Sequence, residues 1–386
     1  MPSNSATCLP SVIDAISDLI KLPSVSCTQA SLDQSNRTII ELLANWFSEL
    51  GFKIEIMETS QKDKLNLIAT LGQGDGGLVL AGHTDTVPYD LHHWQSDPFT
   101  LREKDGRLYG LGTSDMKSFF ALVLEAAKSF SDKNPTHPLI ILATADEESS
   151  MNGAQALVSA NKLKGRYAVI GEPTNLKPVN MHKGIMQERI LVQGQAGHAS
   201  NPALGNNAID AMHQITTELM MYRDELATRF QNKAFSVAHP TLNLGCIHGG
   251  DSPNRICGEC ELLIDIRTLP GMNHNQVRED MRSRLDKIAH RLGVSCTVES
   301  LFPGLDPFAT PETSELIKAA EKLTAHNAIS VGFGTEAPFL QALGFETIIL
   351  GPGDIAQAHQ PNEYVALDRL NPMITILKNL IQQFCY

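Results

Sequence analysis

Apolar and polar positions along this chain follow two periods. Four short apolar runs, 78–81, 138–143, 167–170 and 347–350, are each followed within a few residues by His, Asp or Glu. Such runs, bounded by glycine, proline and polar clusters, predict buried strands of a largely parallel sheet. Two further strands are expected over 52–57 and 66–71. Helical spacing of apolar residues appears over 11–20, 37–51, 116–130 and near 313–326, with Gly51 as a stop signal for the second of these. In open α/β sheets, ligands sit outside the carboxyl ends of the strands. His83 and Asp85, just beyond the first of the four runs, stand at such a place. Residues two apart on an extended chain share a face, so the carboxylate can lean on the imidazole.

A middle stretch has a different character. Strand patterns over 186–195, 241–247, 259–267 and 294–300 are interrupted by helical patterns over 206–222 and 274–292. The order β-α-β-β-α-β is that of a ferredoxin-like split unit. The expected fold class is therefore α/β. A discontinuous domain, 1–182 and 303–386, carries a mixed, mostly parallel sheet flanked by helices, and a βαββαβ domain is inserted over 183–302. Two domains agree with a length of 386 residues.

Composition narrows the class. Hydrophobic residues make up 42% and charged residues 19% of the chain, as in a soluble globular protein. A net charge of -12 argues against nucleic acid and anionic membranes as partners. The seven cysteines, Cys8, Cys27, Cys246, Cys257, Cys260, Cys296 and Cys385, form no disulfide framework and suggest a reducing compartment. Cys257 and Cys260 lack the second pair that a zinc ribbon needs, and are read as strand residues. Residues 1–11 show no basic region followed by an apolar stretch, and no run reaches membrane-spanning length, so a cytoplasmic location is expected.

The candidate chemistry lies in His83, Asp115, Glu147, Glu148, Glu172 and His359. Asp115 has a second reading, as a helix cap at the start of 116–130. Two imidazoles with four carboxylates suit Zn2+, Co2+ or Mn2+. Clustered acids in a partly dry cleft repel one another unless they hold protons or meet cations. Two metals ~3.5–4 Å apart need one bridging ligand and terminal ligands on each side. Five of the six groups meet that need, and the sixth is left to act as a base.

These residues sit in segments that resemble the M20 family of metallopeptidases and amino-acid deacylases: HTDTVP, GRLYGLGTSDMKS, ATADEES, IGEPT, GHASNP, GFGTEAPF and AHQPNEYV. The resemblance spans nearly the whole chain and implies two Zn2+ per subunit, with Co2+ as a substitute. His83 and Glu172 would serve one metal, Glu148 and His359 the other, and Asp115 would bridge them. Asp85 would orient His83, and Glu147 would be the general base. The inserted domain would act as a lid and homodimerisation domain and present His198 to the oxyanion, from the partner subunit in dimeric members. Ser118, where many members have glycine, puts little in doubt. Glu172, where the carboxypeptidase-like branch often has Asp, points to the deacylase branch.

The implied substrate is a small N-acyl amino acid. A substrate with an α-carboxylate, a small acyl group and a distant ammonium suits Arg255 and Asn254 as a carboxylate clamp and Glu336 as the partner of the ammonium. A surface arginine and a helix-start glutamate are the plainer readings of Arg255 and Glu336. Other acyl-amino-acid hydrolases, a di- or tripeptidase, and a metal-binding module without turnover are the competing functions.

Overall fold

The computed structural model describes residues 9–386, so Cys8 and most of the leader reading lie outside the described residues. The chain divides into two compact units. The first holds residues up to Asn180, Thr310–Ile329 and Thr335–Tyr386; the second holds Met181–Ala309 and Ser330–Gly334. The second unit therefore runs past the expected boundary at 302, and a short stretch beyond it also belongs there.

The sheet of the first unit is built on β1 (Lys53–Glu58), β2 (Leu65–Leu71), β3 (Leu78–His83), β4 (Leu139–Thr144), β5 (Tyr167–Ile170) and β6 (Glu346–Ile349). Its spatial order is β1-β2-β4-β3-β5-β6. β1, β2 and β4 pair antiparallel in turn, whereas β4, β3, β5 and β6 run parallel. The four apolar runs are thus the four parallel neighbours, and their carboxyl ends lie side by side. β3 and β4 are buried along their whole length, which is why they read as continuous apolar runs without alternation.

Helices Val12–Ile20, Arg37–Glu49, Ser118–Lys128 and Leu370–Cys385 supply much of the core that packs with this sheet. Ser11 caps the first by accepting the Asp14 N–H, so the expected start at 11 is a cap position. The third helix begins at Ser118 with Lys117 at its N-cap, so Asp115 lies two residues before the cap. That overturns the capping reading of Asp115. Close packing fixes one glycine here. A Cβ on Gly171 would lie 2.1 Å from the Phe119 ring, so only glycine lets that helix press on the end of β5.

The second unit holds a four-stranded antiparallel sheet, ordered Thr241–Gly249, Glu259–Thr268, Gly184–Gln193, Ser295–Ser300. Helices Ala208–Arg229 and His274–Leu292 bury one face against it around Met186, Ile190, Leu219, Tyr222, Ile264 and Met281. In sequence these elements follow the order β-α-β-β-α-β. The first helix extends about two turns beyond the expected end at 222, because Leu226 continues its buried stripe.

Candidate metal centre

The parallel strands converge at their carboxyl ends on one polar cluster within the first unit. β3 ends at His83, which is 1% exposed. Its Nδ1 lies 3.0 Å from the Asp85 backbone oxygen and 3.5 Å from the Asp85 carboxylate. With Nδ1–H donated there, Nε2 is left to face the cluster as an acceptor. It stands 3.1 Å from Asp115 Oδ1 and 3.8 Å from Glu172 Oε1. Glu172 follows β5 after Gly171.

Past β4, the chain turns sharply at Asp146, which takes the left-handed conformation with φ +59°. Its carbonyl accepts the Met151 N–H at 2.7 Å. Its buried carboxylate is held by the Lys64 ammonium at 2.7 Å and the Ser26 hydroxyl at 3.0 Å. A side chain that anchors its own turn offsets the strain of that backbone conformation. The turn aims the N–H groups of Glu147 and Glu148 at the Asp85 carboxylate, 3.3 and 3.1 Å away. Asp85 therefore holds both the His83 ring and the base of the Glu147–Glu148 pair.

After β6 the chain reaches His359, whose Nε2 lies 2.9 Å from Glu148 Oε2 and 3.7 Å from Asp115 Oδ2. The two oxygens of Asp115 thus face two different histidines, Oδ1 toward His83 and Oδ2 toward His359. Among the described residues, two groups of three donors come together, His83–Glu147–Glu172 and His83–Asp115–Glu148. His359 adjoins the second.

The electrostatics call for cations. Burial, and then the Glu172 charge, push Glu147 well above the ordinary carboxylate range. Burial, and then Asp115, do the same to Glu172 and raise Glu148. Burial alone would lower His83, but hydrogen bonds to Asp115 and Asp85 and the Glu172 charge outweigh it and raise the ring well above its usual value. Carboxylates that protonate because they crowd one another become stable anions when a divalent cation enters.

The spacing fits as well. Ligands tetrahedral about a metal at ~2.0–2.1 Å are separated by roughly 3.3 Å. The nitrogen–oxygen separations within the cluster, 2.9 to 3.8 Å, bracket that value.

The other sequence candidates fall in two places. Glu336 lies in the first unit, buried at the start of helix Ala337–Ala342. Its Oε2 accepts the Thr144 hydroxyl at 2.8 Å, while Oε1 is buried with no hydrogen-bond partner among the described residues. Burial pushes it up to about 7. His198, Asn254 and Arg255 meet one another in the second unit. His198 is opposite Arg255 in a two-residue antiparallel pair, and the Ala199 N–H donates to the Asn254 carbonyl at 3.1 Å. Arg255 is exposed and pairs with Asp251. His198 Nδ1 is bonded to the Ser200 hydroxyl at 2.8 Å.

Lys64, Lys117 and Glu363, which sequence reasoning passed over, are buried charged residues around the cluster. Lys117 and Glu363 lay within quoted segments, SDMKS and PNEYV, but only contacts across the fold reveal what they do.

Comparisons with known proteins bear on this centre. The sequence profile of peptidase family M20/M25/M40 matches residues 79–383. An acetylornithine deacetylase from Proteus mirabilis is 46% identical over 378 residues, covering 98% of this chain and 97% of its own. Among solved structures, an aminopeptidase from Bacillus cereus superposes with a TM-score of 0.77 at 20% identity, covering 96% of this chain and 97% of its own. An M20 family metallo-carboxypeptidase from Sulfolobus solfataricus gives 0.74 at 20% identity, covering 97% and 99%. A dinuclear metal-binding M20 peptidase from Bacillus subtilis gives 0.68 at 16%, covering 96% and 97%. The family match and the close relative make this chain a member of peptidase family M20/M25/M40 and a metal-dependent amidohydrolase.

Proposed function

We propose that the chain hydrolyses the amide of N2-acetyl-L-ornithine to acetate and L-ornithine, a step of arginine biosynthesis, in the cytoplasm. The observation that carries this reading is the 46% identity with an acetylornithine deacetylase across 98% of the chain. His83 and Glu172 would hold one zinc ion and Glu148 and His359 the other, with Asp115 placed to serve both. Co2+ replaces zinc in the same donor set. When bound, the metals polarise the amide carbonyl and lower the pKa of the attacking water toward ~7.

The chain's own residues do the rest. Asp85 keeps His83 turned so that Nε2 faces the cluster. Glu147 takes the proton of the attacking water and returns it to the departing amine. His198 donates to the oxyanion of the tetrahedral intermediate. Arg255 and Asn254 bind the substrate α-carboxylate, with Arg255 exchanging Asp251 for it, and Glu336 faces the ammonium.

The test is a panel of amides offered to zinc-loaded protein: N-acetylornithine, N-acetylcitrulline, succinyl-diaminopimelate and a dipeptide. A kcat/KM preference for N-acetylornithine is expected. In the same assay Arg255→Ala should raise KM roughly tenfold or more, the size of one charge-assisted hydrogen bond. A preference for another member would sink the substrate reading while leaving the mechanism intact.

We further propose a homodimer formed through the second unit. Strand Thr241–Gly249 is a sheet edge and exposes Ile247 at 58%. Helix Ala208–Arg229 exposes Ile209, Met220 and Met221. An open edge beside exposed apolar side chains invites a second copy. Sedimentation at micromolar concentration should give twice the 42.1 kDa chain mass; a monomer there rules the dimer out. Among the described residues no helix is long and apolar enough to cross a membrane.

A further inference from the structure

The segment AHQPNEYV supplies His359 to the cluster, and four residues later it supplies Glu363, whose side chain is buried out of reach of solvent. The Glu363 carboxylate accepts three backbone N–H groups from one loop: Gly112 at 2.9 Å, Ser114 at 2.6 Å and Asp115 at 2.9 Å. Its own carbonyl accepts the Gly110 N–H at 3.0 Å. The strand beginning at Tyr364 pairs with Arg107–Tyr109, Tyr364 opposite Tyr109, so a β-ladder sets where Glu363 stands.

The loop is held from its other side too. Gly112 has φ +88°, and a Cβ there would lie 2.9 Å from the Lys117 side chain. Lys117 is fully buried and donates to the Leu22 carbonyl at 2.7 Å. Burial brings its pKa down to about 7, with the charges of Asp85 and Glu363 working against that. A buried carboxylate is costly unless hydrogen bonds and a counter-charge compensate it. Here the three N–H groups offset part of that cost, and burial still pushes Glu363 up to about 8. The last of those N–H groups belongs to Asp115, whose Oδ1 lies 3.1 Å from His83 and whose Oδ2 lies 3.7 Å from His359.

We infer that Glu363 is a positioning residue, which fixes the Asp115 carboxylate between the two histidines by clamping the backbone of its loop. This rests on the dimetal reading proposed above. One short segment then holds both sides of the second metal position, His359 through its ring and Asp115 through its backbone. Glutamine at 363 would keep the shape but turn an N–H donor toward one of the loop's N–H groups. That mismatch shifts the loop without emptying the space.

The experiment titrates Zn2+ and Co2+ into chelator-treated full-length wild type, Glu363→Gln and Glu363→Asp, reading calorimetry, the Co2+ absorption spectrum, and kcat and KM on N-acetylornithine. For Glu363→Gln the second equivalent should bind roughly 10–100-fold more weakly, with kcat falling by a similar factor, as when a group supporting a ligand is lost. The first equivalent and KM should stay within about threefold of wild type, and the Co2+ spectrum of the second equivalent should change. Should Glu363→Gln fail to fold, Glu363→Asp carries the same criteria, because its shorter carboxylate cannot span all three N–H groups. Two equivalents bound as in wild type with unchanged kcat overturn the inference, as does an equal loss at both equivalents, which would mean a general structural role. Wild type that takes up no second equivalent overturns the dimetal reading and this inference with it, so the wild-type titration separates the two failures.

Discussion

Glu147→Gln is expected to bind metal as wild type does and to lose turnover by roughly 10²–10⁴-fold, the usual contribution of a positioned acid–base group. Glutamine occupies nearly the same volume, and the Glu147 N–H that bonds to Asp85 belongs to the backbone, so the turn after β4 persists. What disappears is the ability to take a proton and give it back. Glu147 stands in one donor group with His83 and Glu172, close enough to reach a water held there. Loss of metal together with turnover would make Glu147 a ligand. Near-normal turnover would remove it from the mechanism. Metal analysis beside single-turnover kinetics separates these outcomes.

His359→Ala is expected to fail in the opposite way, by losing metal. His359 approaches Glu148 at 2.9 Å and Asp115 at 3.7 Å, and the dimetal reading makes it the imidazole ligand of the second position. Without it, the second position keeps only carboxylates, which bind zinc less well than a mixed set with an imidazole nitrogen. Metal content after dialysis should fall toward one zinc per chain, and the second equivalent should bind at least ~100-fold more weakly, more than is lost with a supporting group. Turnover should fall with it and recover partly at high zinc. Two zinc ions retained through dialysis would move His359 out of the ligand set. The pair of variants therefore splits the cluster into a residue that handles protons and a residue that holds metal.

Much of this centre can be read from local sequence pattern, and the reason is geometric. Parallel strands buried on both faces must be apolar throughout, and side chains beyond their carboxyl ends share one rim. His83 ends β3, and Glu147, Glu148 and Glu172 come within four residues of the ends of β4 and β5, so finding the strands finds them. Asp115 is different. Sequence allows it to be a helix cap, and only the start of the helix at Ser118 shows that its carboxylate is free for the cluster.

The supporting residues were illegible for another reason. Glu363 meets the Asp115 N–H across 248 residues of chain, and Lys64 meets Asp146 across 82. No periodicity or local spacing encodes such pairs. A buried lysine or glutamate looks like a surface residue until the fold closes over it. The grouping of His198, Asn254 and Arg255 arises likewise from a two-residue strand pair too short to leave a pattern.

The most direct test of the account is a metal titration read by hydrolysis. Chelator-treated protein is supplied with zinc in steps, and release of acetate from N-acetylornithine is followed at each step. The account predicts no turnover without metal, activity that rises with added zinc, and saturation of binding at two equivalents per chain. Hydrolysis by the metal-free chain, or two bound equivalents with no hydrolysis of any amide in the panel, would contradict it.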